Sequence, residues 1–454
     1  MRIAELASLR VAIWGLGREG HATHVALRQR LPGLALTLFC SDAEAHFMTT
    51  SDPADRFVTT APTAADLSAF DIVIKSPGIS GYCPELIEAQ RNGTRFTSAT
   101  ALWFAEHAGS RVIGVTGTKG KSTTSALIAY LLRGLGRRTA LAGNIGMPVL
   151  ELLDPPVEPD WWVIELSSFQ TRQAGHLDLG VITNVEEEHL DWHGSRENYV
   201  SDKLALADVA RTLLVHGGHA ELLQRTARHP RRILFGVASG WHVDETSIRR
   251  GGEIAIERSR LPLPGAHNAL NACAALAAVE AIGEDAMAAV DRIDGFRPLP
   301  HRLQRLGVRE SVTWIDDSIA TTPQAVTEAL RSLAGRSVTV IVGGHDRGLD
   351  WRPFAEHVRA FPPHAVIANG ASGRRIGVLL HEVAGSYQLH TVATLADAVA
   401  LARDVTPPDG TILLSPGAPS FDQFHDYAER GRHFAELGGF DADAIGQIEG
   451  LGIS

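Results

Sequence analysis

Arg111-Val-Ile-Gly-Val115-Thr-Gly117-Thr-Lys-Gly120-Lys121-Ser122-Thr123 decides the fold of this chain. An apolar run of strand type enters a glycine-bearing turn. Helical periodicity from Thr123 to Arg133 leaves it. Strand, Gly-Lys-Ser and helix in that order make a phosphate loop. Glycines let backbone N–H groups approach phosphate oxygens, and the helix N-terminus adds a positive dipole. Lys121 can reach β- and γ-phosphates, and the Ser122 hydroxyl can ligate Mg²⁺. The strict spacing puts glycine at 115, where this chain has Val115, so the loop is a variant. Its nucleotide-binding candidates are Gly117, Thr118, Lys119, Gly120, Lys121, Ser122 and Thr123.

Outward from the loop, strands and helices alternate. Upstream, Val11-Ala-Ile-Trp14 enters Gly15-Leu16-Gly17-Arg18-Glu-Gly20, and a helical pattern runs from His21 to Arg30. Leu36-Thr-Leu-Phe39 and Ile72-Val-Ile74 are strands, the second stopping at Lys75-Ser76-Pro77-Gly78. Downstream, strands are expected at 162–164, 180–183, 212–215 and 233–235, before a Pro-rich linker at 294–300. A third block has strands at 312–315, 337–342, 365–367 and 410–414, with helices at 323–334 and 395–404. The expected fold is three consecutive α/β domains: a Rossmann-like domain at 1–96, a central P-loop ATPase domain at 97–300, and a Rossmann-like C-terminal domain at 301–454.

Composition narrows the class. At 454 residues, two to four domains are expected, and 44% apolar residues suffice for full cores. Lys plus Arg is 42 against 52 for Asp plus Glu, so the net charge is −10. An acidic chain makes a poor general binder of nucleic acid. Three cysteines, Cys40, Cys83 and Cys273, form neither a disulfide framework nor a metal-ligand spacing. No signal-peptide core and no membrane-length apolar run stands out, so a cytoplasmic protein without a membrane span is expected.

Further side chains carry possible chemistry. Gly15-x-Gly17-x-x-Gly20 after a strand suits a nucleotide diphosphate, with Asp42 near the position of a ribose-binding acid. Glu165 ends the strand at 162–164, where a carboxylate beside a phosphate loop would hold Mg²⁺. Thr183-Asn-Val-Glu-Glu-Glu-His189-Leu-Asp191-Trp-His193 could coordinate a second metal or simply solvate its loop. Lys203, alone in a helical pattern, reads from its neighbours as a surface lysine.

These motifs fall in an order that resembles the Mur ligase family of bacterial peptidoglycan synthesis. The phosphate loop is followed by Gly143-Asn144-Ile-Gly146 and Glu165-Leu-Ser-Ser-Phe-Gln170. Thr183-Asn184, Glu188-His189-Leu-Asp191 and Lys203 come next. Gly265-Ala-His267-Asn268-x-x-Asn271, Pro300-His301-Arg302 and Asp317-Ser318 complete the order. The tail Leu414-Ser-Pro-Gly-Ala-Pro-Ser420-Phe421-Asp-Gln-Phe424 with Arg430-Gly431 is similar to the glutamate-adding, MurD-like branch. The resemblance spans essentially the whole chain. It implies ATP and two Mg²⁺ sites, with Lys121 on the transferring phosphoryl group. Ser122 and Glu165 would serve one ion; His189 and a carbamylated Lys203 would serve the other. Carbamylation needs a neutral amine, hence a lowered lysine pKa. Asn268, Asn271, Arg302 and Asp317 would meet the nucleotide, and Asn144 the phosphates or the precursor. Gly15–Arg18 and Ser76, Pro77 and Gly78 would hold the uridine diphosphate of UDP-N-acetylmuramoyl-L-alanine, with Ser167 and Gln170 at its muramoyl-peptide end. The implied chemistry is an acyl phosphate attacked by the amine of glutamate, made where the three domains converge and shielded from water by domain closure.

The glutamate pocket departs from the D-glutamate pattern, which tends to carry lysine where this chain has Ile319 and Arg347. Arg grips a carboxylate as a planar fork, whereas Lys is a point charge. Thr321, Arg347, Ser420 and Phe421 are the pocket candidates. Gly344-His-Asp-Arg-Gly-Leu-Asp-Trp351, the 415–420 run and the Gly450-Leu-Gly tail look more like an L-glutamate-adding branch, whose product a separate epimerase inverts. The D-glutamate reaction is the alternative.

Overall fold

Short strands that are apolar on both faces need cover on both sides, and that requirement organises every large sheet here. The computed structural model describes residues 1–48, 52–186, 188–263, 265–448 and 450–453. Glu187, part of the acidic run after Asn184, lies outside the described residues.

The first sheet contains β1 (Val11–Trp14), β2 (Leu36–Phe39), β3 (Asp55–Val58), β4 (Ile72–Lys75) and β5 (Arg95–Thr97). All its pairings are parallel, in the order β3-β2-β1-β4-β5. The order reverses between β1 and β4, the crevice where doubly wound sheets bind nucleotides. Helix α1 (Arg18–Arg30) starts three residues before the expected His21, directly on the glycine turn. Gly20 is required there: a Cβ on it would sit 1.9 Å from the Gly15 carbonyl oxygen.

The second sheet contains β6 (Val112–Thr116), β7 (Thr139–Gly143), β8 (Trp161–Glu165), β9 (Leu177–Ile182), β10 (Ala210–His216) and β11 (Arg232–Phe235). Its order is β11-β10-β9-β6-β8-β7, all parallel, so β6 and the phosphate loop stand in the middle. Helix α2 (Lys121–Gly134) follows the loop, α3 (Arg196–Val209) carries Lys203, and α4 (Ala266–Ala281) packs on α2. The run of alanines in α4 lets the two helices approach closely. Fully buried Trp103 and Trp162 meet edge to face at 4.7 Å and anchor the far side. A small antiparallel sheet of β12 (Trp241–Val243), β13 (Ser247–Arg250) and β14 (Glu253–Glu257) was not expected from the sequence.

The third sheet contains β15 (Gln304–Arg309), β16 (Val312–Asp316), β17 (Val338–Gly343), β18 (Ala365–Asn369), β19 (Gln388–Thr391) and β20 (Thr411–Leu414). Its order is β15-β16-β20-β17-β18-β19, parallel except for β15 at the edge.

The chain packs as two compact units. One takes in residues 1–262, 266–296 and 450–453; the other holds residues 263, 265 and 297–448. The tail, grouped with the third domain in the sequence reading, belongs instead to the first unit. There β21 (Gly452–Ile453) adds an antiparallel edge strand to β7. Arg133 fixes it, donating from Nη1 to the Gly450 carbonyl at 2.6 Å and from Nη2 to that of Gly452 at 3.1 Å. Among the described residues, no helix is long and apolar enough to cross a membrane.

Candidate active site

The phosphate loop is held open from below. Gly117 and Gly120 take positive φ values of 151° and 81°. A Cβ on Gly117 would meet Thr183 Oγ1 at 1.9 Å, and one on Gly120 would meet Asn271 Oδ1 at 2.3 Å. Both positions therefore demand glycine on conformation and on space. The amide nitrogens of Thr118 and Lys119 donate to Asn184 Oδ1 at 3.0 and 2.8 Å, and Thr183 Oγ1 donates to the Lys119 carbonyl at 2.7 Å. Thr118 Oγ1 shares a 2.6 Å hydrogen bond with Tyr199 of α3. The loop's shape is thus set by the end of β9 and by α3. Lys121 Nζ donates to the Thr118 carbonyl at 2.8 Å. Ser122 and Thr123 open α2, both buried. From α4, Asn271 stands beside Gly120 and its Nδ2 donates to Asn268 Oδ1 at 3.2 Å.

Glu165 is fully buried at the end of β8. One carboxylate oxygen accepts from Asn144 Nδ2 at 2.8 Å; the other, Oε2, is buried with no hydrogen-bond partner. An uncompensated buried carboxylate oxygen beside a phosphate loop fits a divalent cation. Asn144 spends its amide on orienting Glu165, a role the sequence did not suggest.

Lys203 corrects the surface reading made from its neighbours. Its side chain is buried, donates from Nζ to the Gly117 carbonyl at 2.8 Å, and lies 4.9 Å from the Tyr199 ring centre. Burial, and then the charge of Lys121, hold its pKa well below the usual lysine range. Glu188 and Glu165 act in the opposite sense, so these groups share one electrostatic neighbourhood. His189 belongs to it too. Burial lowers its pKa, with Glu188 raising it and Lys121 and Lys203 lowering it. His189 has φ 56°, and its ring stands 5.2 Å from that of Phe169. No three His, Cys, Asp or Glu side chains among the described residues form a ready-made cation cage. Mg²⁺ commonly takes one or two carboxylates and fills its shell with phosphate oxygens and water.

The turn after β8 reaches the first turn of α1. Ser167 donates from N and Oγ to Gln170 Oε1 at 3.0 and 2.8 Å, and Gln170 Nε2 donates to Glu19 Oε1 at 3.3 Å. Glu19 was not singled out from the sequence. Burial pushes its pKa up to about 7, the charge of Glu151 adding to the shift. Its neighbour Arg18 donates to the Gly146 carbonyl at 3.2 Å. Leu16 is buried and offers only backbone, while Gly17, Arg18 and Gly78 are exposed. Ser76 Oγ donates to the Gly15 carbonyl at 2.8 Å, tying together the loops that follow β1 and β4. The next serine, Ser168, contacts buried His193, which pairs with Asp202.

In the second unit, loops at the ends of β16, β20 and β17 converge. Gly417 N donates to the Ala320 carbonyl at 2.9 Å, Gly343 N to that of Pro416 at 2.7 Å, and His345 N to that of Pro419 at 2.8 Å. Buried Arg430 ties them, donating from Nη2 to the Ser318 carbonyl at 2.8 Å and from Nη1 to that of Ala418 at 3.0 Å. Ser420 is buried, Thr321 half-buried, and Arg347 and Phe421 exposed on this rim. Asp317 is buried, accepts from Ser415 Oγ at 2.8 Å, and is pushed up to about 7 by burial, with Arg302 opposing.

A phosphate loop, a buried carboxylate at the neighbouring strand end and a nucleotide-type crevice in the first sheet define a multidomain enzyme that uses a nucleoside triphosphate. The chain belongs to the Mur ligase family. The family's middle domain matches residues 115–279, and its C-terminal "Mur ligase, glutamate ligase domain" matches residues 301–417. A UDP-N-acetylmuramoyl-L-alanine–L-glutamate ligase of Xanthomonas euvesicatoria pv. vesicatoria is 47% identical over all of both chains. A protein of the same name from Xylella fastidiosa is 46% identical, again over both full lengths. Among solved structures, UDP-N-acetylmuramate-alanine ligase MurC of Thermotoga maritima superposes with a TM-score of 0.61 at 20% identity, covering 95% of this chain and 99% of its own.

Proposed function

We propose that this protein joins glutamate, as the L-enantiomer, to UDP-N-acetylmuramoyl-L-alanine in peptidoglycan precursor synthesis, with ATP converted to ADP and phosphate. The observation that carries the reading is buried Glu165, with one oxygen unpartnered, in the same charged neighbourhood as Lys121, Lys203 and His189. The names of the full-length relatives support the substrates.

In this mechanism Lys121 and the loop amides hold the phosphates of ATP, and the terminal carboxylate of the precursor takes the γ-phosphoryl group. The acyl phosphate is attacked by the amine of glutamate. The tetrahedral intermediate then collapses, breaking the carbon–oxygen bond to give amide and phosphate. Such transfer depends mostly on positioning and charge stabilisation. Ser122 with Glu165, and His189 with carbamylated Lys203, would hold two Mg²⁺ ions, which neutralise charge on the transferring phosphoryl group. Addition of CO₂ to the neutral Lys203 amine gives an anion suited to that place. Asn268 and Asn271 flank the nucleotide; the crevice between Gly15–Arg18 and Ser76–Gly78 takes the uridine diphosphate. Ser167 and Gln170 face the peptide end, and Asn144 acts on it through Glu165. In the second unit, Arg302 and Asp317 serve the nucleotide, and Thr321, Arg347, Ser420 and Phe421 form the amino-acid rim. If L-glutamate is added, an epimerisation step must follow wherever the D-residue is required.

Phosphate release tests this reading. It is expected only when ATP, the UDP-precursor and glutamate are all present. Release that ignores precursor or amino acid would identify a plain ATPase and contradict it.

A further inference from the structure

His193 is fully buried and walled by aromatic rings: Trp192 at 4.5 Å, Phe169 at 5.5 Å and Tyr199 at 5.2 Å. Its two nitrogens are wired in opposite directions. Nδ1 is 2.7 Å from Asp202 Oδ2, and Nε2 is 3.0 Å from Ser168 Oγ. A carboxylate only accepts, so Nδ1 carries the proton, and the Ser168 hydroxyl donates to Nε2. Asp202 also accepts from Tyr82 OH, 2.9 Å from each oxygen, and from Arg172 Nε. Tyr82 lies in the loop that leaves β4 through Ser76-Pro77-Gly78. That loop is stitched a second time, by Trp192 Nε1 donating to the Pro77 carbonyl at 3.0 Å. Asp202 also grips the turn by its backbone, where its carbonyl accepts from Thr171 Oγ1 at 2.6 Å.

One hydrogen-bonded line therefore runs from the nucleotide crevice of the first sheet to the turn that follows Glu165. A histidine buried only for packing has no need of a tyrosine from another sheet at the end of its line. We propose that His193 and Asp202 are positioning residues for the ligation reaction: through Tyr82 they register the precursor-binding loop, and through Ser168 they fix the turn that receives the precursor's reacting end. Neither touches the reacting atoms. The inference rests on the ligase reading given above.

The test is steady-state ligation by the full-length enzyme, with the UDP-precursor and ATP varied separately. His193→Asn keeps a donor near Asp202 and loses Ser168. Ser168→Ala removes the other end of the same contact, and Tyr82→Phe removes one oxygen at the far end. Each is expected to lower kcat/KM for the precursor about 10- to 100-fold, as small misplacements do, while KM for ATP stays within about twofold of wild type. The His193→Asn, Ser168→Ala double variant is expected to be no worse than the weaker single, because both cut one line. Wild-type kinetics in all three variants, additive losses in the double, or equal losses for both substrates overturn the proposal. If wild-type enzyme makes no product with either glutamate, the ligase reading falls and this one with it. If wild type is active and the variants match it, only the positioning claim falls.

Discussion

Glu165 shows how much a single residue can reveal. Its carboxylate is buried, half-satisfied by Asn144 and otherwise unpaired. Such a group costs stability and persists where function needs it. Glu165→Gln keeps the acceptor facing Asn144 and removes the charge. It is expected to leave the melting temperature unchanged or raised, and to lower ligation about 100-fold; calorimetry and product assay together check this. Lys121→Ala is expected to cost about 10²- to 10³-fold in ADP formation with an unchanged circular dichroism spectrum. Glu19 makes a pH prediction. Its pKa is raised from 4.5 to about 7, so the folded protein binds its proton more tightly than the unfolded chain does. The stability this contributes is complete below about pH 4.5 and lost as pH rises through 7. Glu19→Gln should therefore be more stable than wild type at pH 8, by about 1–3 kcal/mol, and should match it at about pH 4, below the unfolded value. Denaturant melts at the two pH values decide it; an equal gap at both contradicts the assignment.

Among elements, the sequence was most legible where physics is local. The runs at Val11–Trp14 and Val112–Val115 are strand-like and lead into glycine-bearing turns, so strand and loop announce each other; Trp161–Ile164 is apolar and stops at Glu165. The small sheet at 241–257 was missed because its strands are short and half-polar, with Ile254 exposed at 50%. The edge strand β21 was missed because its two residues carry no pattern; Arg133 and the open edge of β7 hold it in place. Removing residues 450–454 should lower the stability of the first unit by about 1–2 kcal/mol, through the lost pairing with β7 and the lost hydrogen bonds from Arg133 to the Gly450 and Gly452 carbonyls, while Arg133 keeps its bonds to the Thr139 carbonyl. Differential scanning calorimetry should show the 297–448 transition unmoved.

At the scale of the whole molecule, three sheets were legible, but their grouping was not. Contacts between the first two sheets, such as Tyr82 with Asp202 and Gln170 with Glu19, join residues more than a hundred positions apart, and no local pattern encodes them. The same distance hid the burial of Lys203. Its helix presents Lys203 among Asp202, Tyr199 and Leu206, all buried, while the neighbouring sequence reads as polar. The phosphate loop, Asn144, Glu165, His189 and Lys203 were singled out in the sequence; the contacts of Asn144 with Glu165, Tyr199 with Thr118 and Asp202 with His193 came only from packing. The central claim is that these parts add L-glutamate to a UDP-muramoyl precursor at the expense of ATP. Purified enzyme should be given UDP-N-acetylmuramoyl-L-alanine, ATP and Mg²⁺ with L- or D-glutamate in separate reactions, and the product weighed by mass spectrometry. The expected result is a product heavier by one glutamyl residue with L-glutamate alone; product with D-glutamate alone, or with neither, contradicts the claim.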